Sequence, residues 1–154
     1  MIELEVRRAM RSDLSDIVGL LIDDDLGTTR EDLGPPLPQG YIDAFDAMER
    51  DPNQILAVAL VNGEIVGTLQ LTYIPGISHT GSWRGQIEAV RIARPMRSQG
   101  LGRQFIQWAV DQATDRGCRI VQLTSNKTRA EAHKFYGDLG FVASHEGFKL
   151  TLKK

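Results

Sequence analysis

Arg97-Ser98-Gln99-Gly100-Leu101-Gly102-Arg103 stands between an apolar, strand-like run and an amphipathic, helix-like run. Two glycines beside a helix start let the backbone approach an anion without a Cβ in the way. The first helical N–H groups have no intrahelical acceptors and can hold phosphate oxygens. The flanking charges agree: Arg91, Arg94, Arg97 and Arg103 face one acid, Glu88, although the chain as a whole carries −2. A cationic pocket on a mildly acidic protein points to a small polyanionic ligand more than to a nucleic acid.

Three phosphate-binding patterns compete for this stretch. A P-loop needs Gly-Lys-Ser/Thr, which occurs nowhere in the chain. A dinucleotide fingerprint needs a third glycine where the chain has Phe105. The pattern R/Q-x-x-G-x-G/A is satisfied by residues 97–102. With Ile87-Glu88-Ala89-Val90-Arg91-Ile92 upstream and Ala132-His133-Lys134-Phe135-Tyr136-Gly137-Asp138-Leu139-Gly140-Phe141 downstream, the chain resembles the GNAT superfamily of acetyl-coenzyme A-dependent N-acetyltransferases. The opening residues 6–14 also resemble that family's first strand and helix entry.

At 154 residues the chain reads as one domain, 1–154, large enough to bury a core. Its 42% hydrophobic and 25% charged residues are ordinary for a soluble globular protein. No apolar run approaches the roughly 20 residues that span a bilayer. The start of the chain shows no signal-peptide pattern, so the expected location is cytoplasmic, with no membrane partner. A lone cysteine, Cys118, makes no internal disulfide and reads as an inert thiol. No metal-ligand spacing is present. Net charge and a pI near 5.9 argue against a nucleic-acid binder.

Periodicity supplies the elements. Residues 3–8 read as a strand. Leu14, Ile17, Val18 and Leu21 recur at helical spacing, with Ser12 or Asp13 as cap. Asp23-Asp24-Asp25 follow, either as a solvated helix terminus or as an acidic lip for a cationic acceptor. Residues 27–40, with three prolines in four positions, form a loop, and 41–48 a short helix. Asn62-Gly63 joins strands at 55–61 and 64–73, the second carrying Ile65, Gly67, Leu69, Leu71 and Tyr73 on one face. A strand at 86–93, a helix at 100–116 closed by Gly117, a strand at 120–124 and a helix at about 128–139 closed by Gly140 follow. Residues 141–152 read as a final hairpin. The expected fold is α/β (α+β), a mixed, mostly antiparallel sheet flanked by about four helices in the order β-α-α-β-β-β-α-β-α-β-β. The family resemblance implies a splay between the strands at 86–93 and 120–124.

Acetyl transfer to an amine requires a positioned thioester, a deprotonated amine and a stabilised thiolate. The resemblance implies that Val90 and Ile92 offer main-chain groups to the pantetheine arm. It assigns the pyrophosphate to Arg97, Ser98, Gln99, Gly100, Leu101, Gly102 and Arg103, although Arg97 and Arg103 also read as surface cations. Ser98 stands where relatives have glycine and suits the loop if its φ is negative. Tyr136 is the expected general acid, the alternative being a core aromatic. Glu88 is either the base for the acceptor amine or a structural partner of Arg91 or Arg84, and strand parity puts it on the Val90/Ile92 face unless a bulge intervenes. Arg129 replaces an asparagine seven residues before the tyrosine. His133 reads as solvent-facing, and His79 and Trp83-Arg84 as candidate pocket lining.

These readings imply an N-acetyltransferase acting on a small-molecule amine (or peptide) by direct attack in a ternary complex, with acetyl-CoA as cosubstrate, no metal and a homodimer as the family's common assembly. The alternative is a non-catalytic acyl-CoA-binding or sensor module, which would not need Tyr136. The loops at 27–40 and 75–85 are expected to select the acceptor.

Overall fold

The computed structural model describes residues 1–24 and 26–153. Asp25, the last residue of the acidic run, lies outside them. The elements are β1 (Glu5–Arg8), α1 (Leu14–Ile22), α2 (Gly27–Arg30), α3 (Gln39–Arg50), β2 (Gln54–Val61), β3 (Glu64–Pro75), α4 (Ser78–Gly81), β4 (Trp83–Ile92), α5 (Leu101–Arg116), β5 (Ile120–Leu123) and α6 (Ala130–Asp138). The five strands form one sheet in sequence order. β1 to β4 run antiparallel to their neighbours, and β5 lies parallel to β4. The mixed, mostly antiparallel fold class expected from the sequence is the one observed.

Each face of the sheet buries its own cluster. Ala57, Ala59, Leu69, Leu71 and Ile87 pack against Phe105, Ile106, Ala109 and Ala113 of α5. Val58 and Leu60 pack on the opposite side against Leu14, Ile17 and Phe45 of α1 and α3. The β2–β3 hairpin turns at Asn62-Gly63, both with positive φ, as that dipeptide predicts. A bulge between Ala59 and Leu60 then shifts the register. One extra residue exchanges the faces, so Ile65 joins the second cluster instead of sharing a face with Leu69 and Leu71.

Helix ends follow local chemistry. Gly117 has φ 87°, and the Cys118 amide donates to the Ala113 carbonyl at 2.9 Å, closing α5. Gly140 and the Phe141 amide close α6 in the same way, the latter donating to the Tyr136 carbonyl at 3.0 Å. Asp13 does not cap α1 forward. Its carboxylate accepts from the Met10 amide at 2.7 Å and from both terminal nitrogens of Arg7 at 2.7 and 3.2 Å. The Arg7 bonds hold Asp13 below the ordinary carboxylate range.

The expected hairpin at 141–152 is not formed. Residues 142–153 have no strand partner among the described residues, and Val142, Phe148, Leu150 and Leu152 are all exposed. A strand forms only where an edge accepts it, and this segment does not lie against its own sheet.

Candidate active site

The site begins at a bulge. Thr68 pairs with Arg91 and Gln70 with Glu88, so one residue of β3 faces Ala89 and Val90 of β4. Ala89 takes φ 53° to make the insertion. Gly67 sits opposite, where a Cβ would lie 2.9 Å from the Arg91 carbonyl oxygen, so only glycine lets the strands close. The bulge reverses the parity expected for Glu88. Val90 and Ile92 pack with the α5-side cluster, whereas Glu88 shares the Thr68–Gln70 face with Arg91. Glu88 is exposed and makes no ion pair among the described residues, so the alternative of a structural bridge to Arg91 or Arg84 does not hold.

The second feature is a splay. β4 and β5 pair only from Arg84–Ile120 to Ile87–Leu123. Beyond Ile87, β4 runs five residues further with no strand neighbour on that side among the described residues. In this open half the Val90 carbonyl accepts from Arg91 Nη1 and the Ile92 carbonyl from Arg97 Nε, both at 2.9 Å. The Arg97 side chain therefore braces the strand end; it also reaches the Asp23 carbonyl at 3.4 Å.

The glycine loop follows at the end of the splay. Ser98 has φ 62° and Gly100 φ 81°, so the negative φ expected of Ser98 is not found. A left-handed residue costs a side chain roughly 1–2 kcal/mol, which explains why glycine suits this place. The amides of Ser98, Gln99, Gly100, Leu101, Gly102 and Arg103 have no hydrogen-bond acceptor among the described residues. The first amide of α5 with one is Gln104, donating to the Gly100 carbonyl at 3.2 Å. Alternating handedness turns successive amides toward one concavity, a shape that takes anions. The Gln99 side chain turns away to the Pro95 carbonyl at 3.1 Å. Arg103 is exposed on the first turn of α5. Gly102 also has a packing reason: a Cβ there would lie 3.2 Å from the Phe135 ring, so the start of α5 rests on α6.

Tyr136, the next residue after Phe135 on α6, is partly buried against the α5-side cluster. Its ring packs edge-on against Phe135 and Phe141, with centroids 5.1 and 5.8 Å apart. Burial raises its pKa, against the opposing pull of Arg91 and Arg129, so the phenol remains a proton donor through the neutral range. Cys118 is also raised by burial, as befits an inert thiol. His133 is exposed and bonds the Asn126 carbonyl at 3.0 Å.

One part of the site was not assembled from the sequence. Asp24 Oδ2 accepts from Arg91 Nη2 at 2.8 Å and Arg129 Nη2 at 3.1 Å, while Oδ1 accepts the Leu26 and Gly27 amides at 2.9 and 2.5 Å. The Asp24 and Arg91 side chains are only 13% and 12% exposed. Burial pushes Asp24 up, but the Gly27 amide and the two guanidiniums outweigh it and hold the carboxylate low. Asp24 is therefore not a free acidic lip, and Asp23 pairs with Arg94 at 2.7 Å. Two guanidiniums meet one carboxylate, and the buried Arg91 Nε has no partner among the described residues. A positive surplus thus faces Tyr136. The only sequence signal was Arg129 standing in an asparagine's place, 105 residues from Asp24.

The chain is similar to known proteins over most of its length. The acetyltransferase (GNAT) family matches residues 21–141. The aminoalkylphosphonate N-acetyltransferase of Salmonella typhimurium is 36% identical over 114 residues, 74% of this chain and 73% of that protein. A crystal structure of a transcriptional regulator from Bacillus halodurans superposes with TM-score 0.94 at 45% identity, covering 97% of this chain and 100% of the other. An aminoglycoside N-acetyltransferase in complex with CoA shares the fold, with TM-score 0.77 at 15% identity over 100% and 97% of the two chains.

Proposed function

The chain belongs to the acetyltransferase (GNAT) family and is an N-acetyltransferase using acetyl-coenzyme A; from that premise we propose how its residues divide the reaction and which acceptors it takes. The run of unpartnered amides from Ser98 to Arg103 carries the assignment of the pyrophosphate. Arg103 adds charge there, and Arg97 braces the loop against the Ile92 carbonyl. The open edge of β4 at Val90 and Ile92 receives the pantetheine arm as an added strand, with Arg91 and Arg97 yielding their carbonyl contacts. The acceptor nitrogen attacks the thioester carbon, the C–N bond forms and the C–S bond breaks. Glu88, directly or through water, takes the ammonium proton, and Tyr136 gives its phenolic proton to the departing sulfur.

The acceptor is a small primary amine that also carries an anionic group. The charge surplus at Arg91 and Arg129 supports this, because guanidiniums hold carboxylates and phosphonates through paired hydrogen bonds. The relative that acetylates aminoalkylphosphonates supports the same class. One domain over residues 1–154, a cytoplasmic location and a homodimeric assembly belong to this reading.

Free-thiol release with acetyl-CoA measures it. Tyr136→Phe is expected to lower kcat about 100-fold with CoA affinity by calorimetry unchanged; full activity in that variant removes Tyr136 as the acid. In an acceptor panel, aminoalkylphosphonates and amino acids should turn over faster than uncharged amines or polyamines. A preference for polyamines overturns the anionic class.

A further inference from the structure

The two oxygens of Asp24 do different work. Oδ1 accepts the Leu26 and Gly27 amides at 2.9 and 2.5 Å and so closes the turn between α1 and α2. That turn is tight: a Cβ on Gly27 would lie 1.8 Å from the Leu21 carbonyl oxygen. Oδ2 is spent on other elements. It accepts from Arg91 of β4 at 2.8 Å and from Arg129, just before α6, at 3.1 Å. Closing the turn explains the first oxygen and not the second.

The cluster carries one unit of positive charge, because Asp24 cancels one of its two guanidiniums. Neighbouring charges do not change the balance. Arg30, which also acts on Arg91, is bonded to Glu31 at 2.9 Å, and Asp23 is bonded to Arg94 at 2.7 Å. A charge held out of water without a counter-charge is costly. Arg91 is largely buried, and its Nε donor has no partner among the described residues. A single negative charge on a ligand supplies what both lack.

We infer that Asp24 is a specificity-determining residue: its resident carboxylate cancels one guanidinium and tunes the site to an acceptor with one negative charge, at the expense of one with two. This rests on the anionic acceptor proposed above and adds the residue that grades its charge. Without the Asp24 charge, Arg91 and Arg129 would together match a dianion. A carboxylate that served only to clamp the α1–α2 turn would favour neither.

Calorimetry on the full chain with coenzyme A present reads this selectivity as a ratio of dissociation constants. The probes are methanesulfonate, a monoanion, and methylphosphonate at a pH where it is a dianion. Asp24→Asn keeps an oxygen for the turn and removes the charge; it should move the ratio about tenfold toward the phosphonate. Asp24→Glu keeps the charge and should stay near the original ratio. Arg129→Gln should weaken both anions, the phosphonate more, and it carries the test if Asp24→Asn does not fold. A ratio unmoved by Asp24→Asn, moved equally by Asp24→Glu, or left unchanged by Arg129→Gln overturns the role of Asp24 while the anionic acceptor stands. Failure of both probes to bind the unaltered chain overturns the anionic acceptor itself, and this inference with it. Binding is read without acetyl transfer.

Discussion

The two halves of β4 share one strand and perform opposite tasks. Residues 84–87 are paired on both sides, to β3 and to β5, and Ile87 and Gly85 are buried. Residues 88–92 are paired on one side only, and Glu88 and Ala89 are exposed. Two small causes separate them: β5 ends its pairing at Leu123, and Ala89 inserts one extra residue. Where the ladder is complete the main chain is spent on the fold. Where it is incomplete side chains take the place of a neighbouring strand, and the Val90 and Ile92 carbonyls accept from Arg91 and Arg97.

Substitutions on either side of that boundary put the contrast at risk. Ile87→Ala should cause the largest loss of stability, about 2–5 kcal/mol by denaturant unfolding, with kcat per folded molecule unchanged. A stability loss below 1 kcal/mol would mean that the paired half is not the anchor. Glu88→Gln should act in the reverse sense. Turnover should fall at least about 10-fold while unfolding shifts by less than about 0.5 kcal/mol; an unaltered rate removes Glu88 from the reaction. The smallest effect is expected of Ala89→Gly, which relieves a left-handed alanine and should stabilise by about 1 kcal/mol or less. A loss of stability there would show that the bulge depends on the alanine side chain.

The loop at 97–103 was legible because its chemistry is local: glycines, a helix start and flanking arginines lie within a few residues. Gly117, Gly140 and Asn62-Gly63 were legible for the same reason, since turns and helix ends are decided by φ preferences of single residues. The face of Glu88 was not. Parity is a counting rule, and one inserted residue whose φ no neighbour announces reverses it. The left-handed φ of Ser98 was likewise not read from the serine itself; its one sign was the glycine that relatives carry there.

Periodicity and turn chemistry by themselves determined the long helices, the central strands and the glycine loop before α5, because each depends on contacts within a turn or two of chain, whereas the role of Tyr136 came from the family resemblance. Tertiary structure decided that Asp24, Arg91 and Arg129 meet beside that tyrosine, that Glu88 stands with Arg91, and that residues 142–153 leave their own sheet. These outcomes rest on pairings between segments many residues apart, where burial and the availability of a strand edge, rather than local propensity, set the lowest free energy.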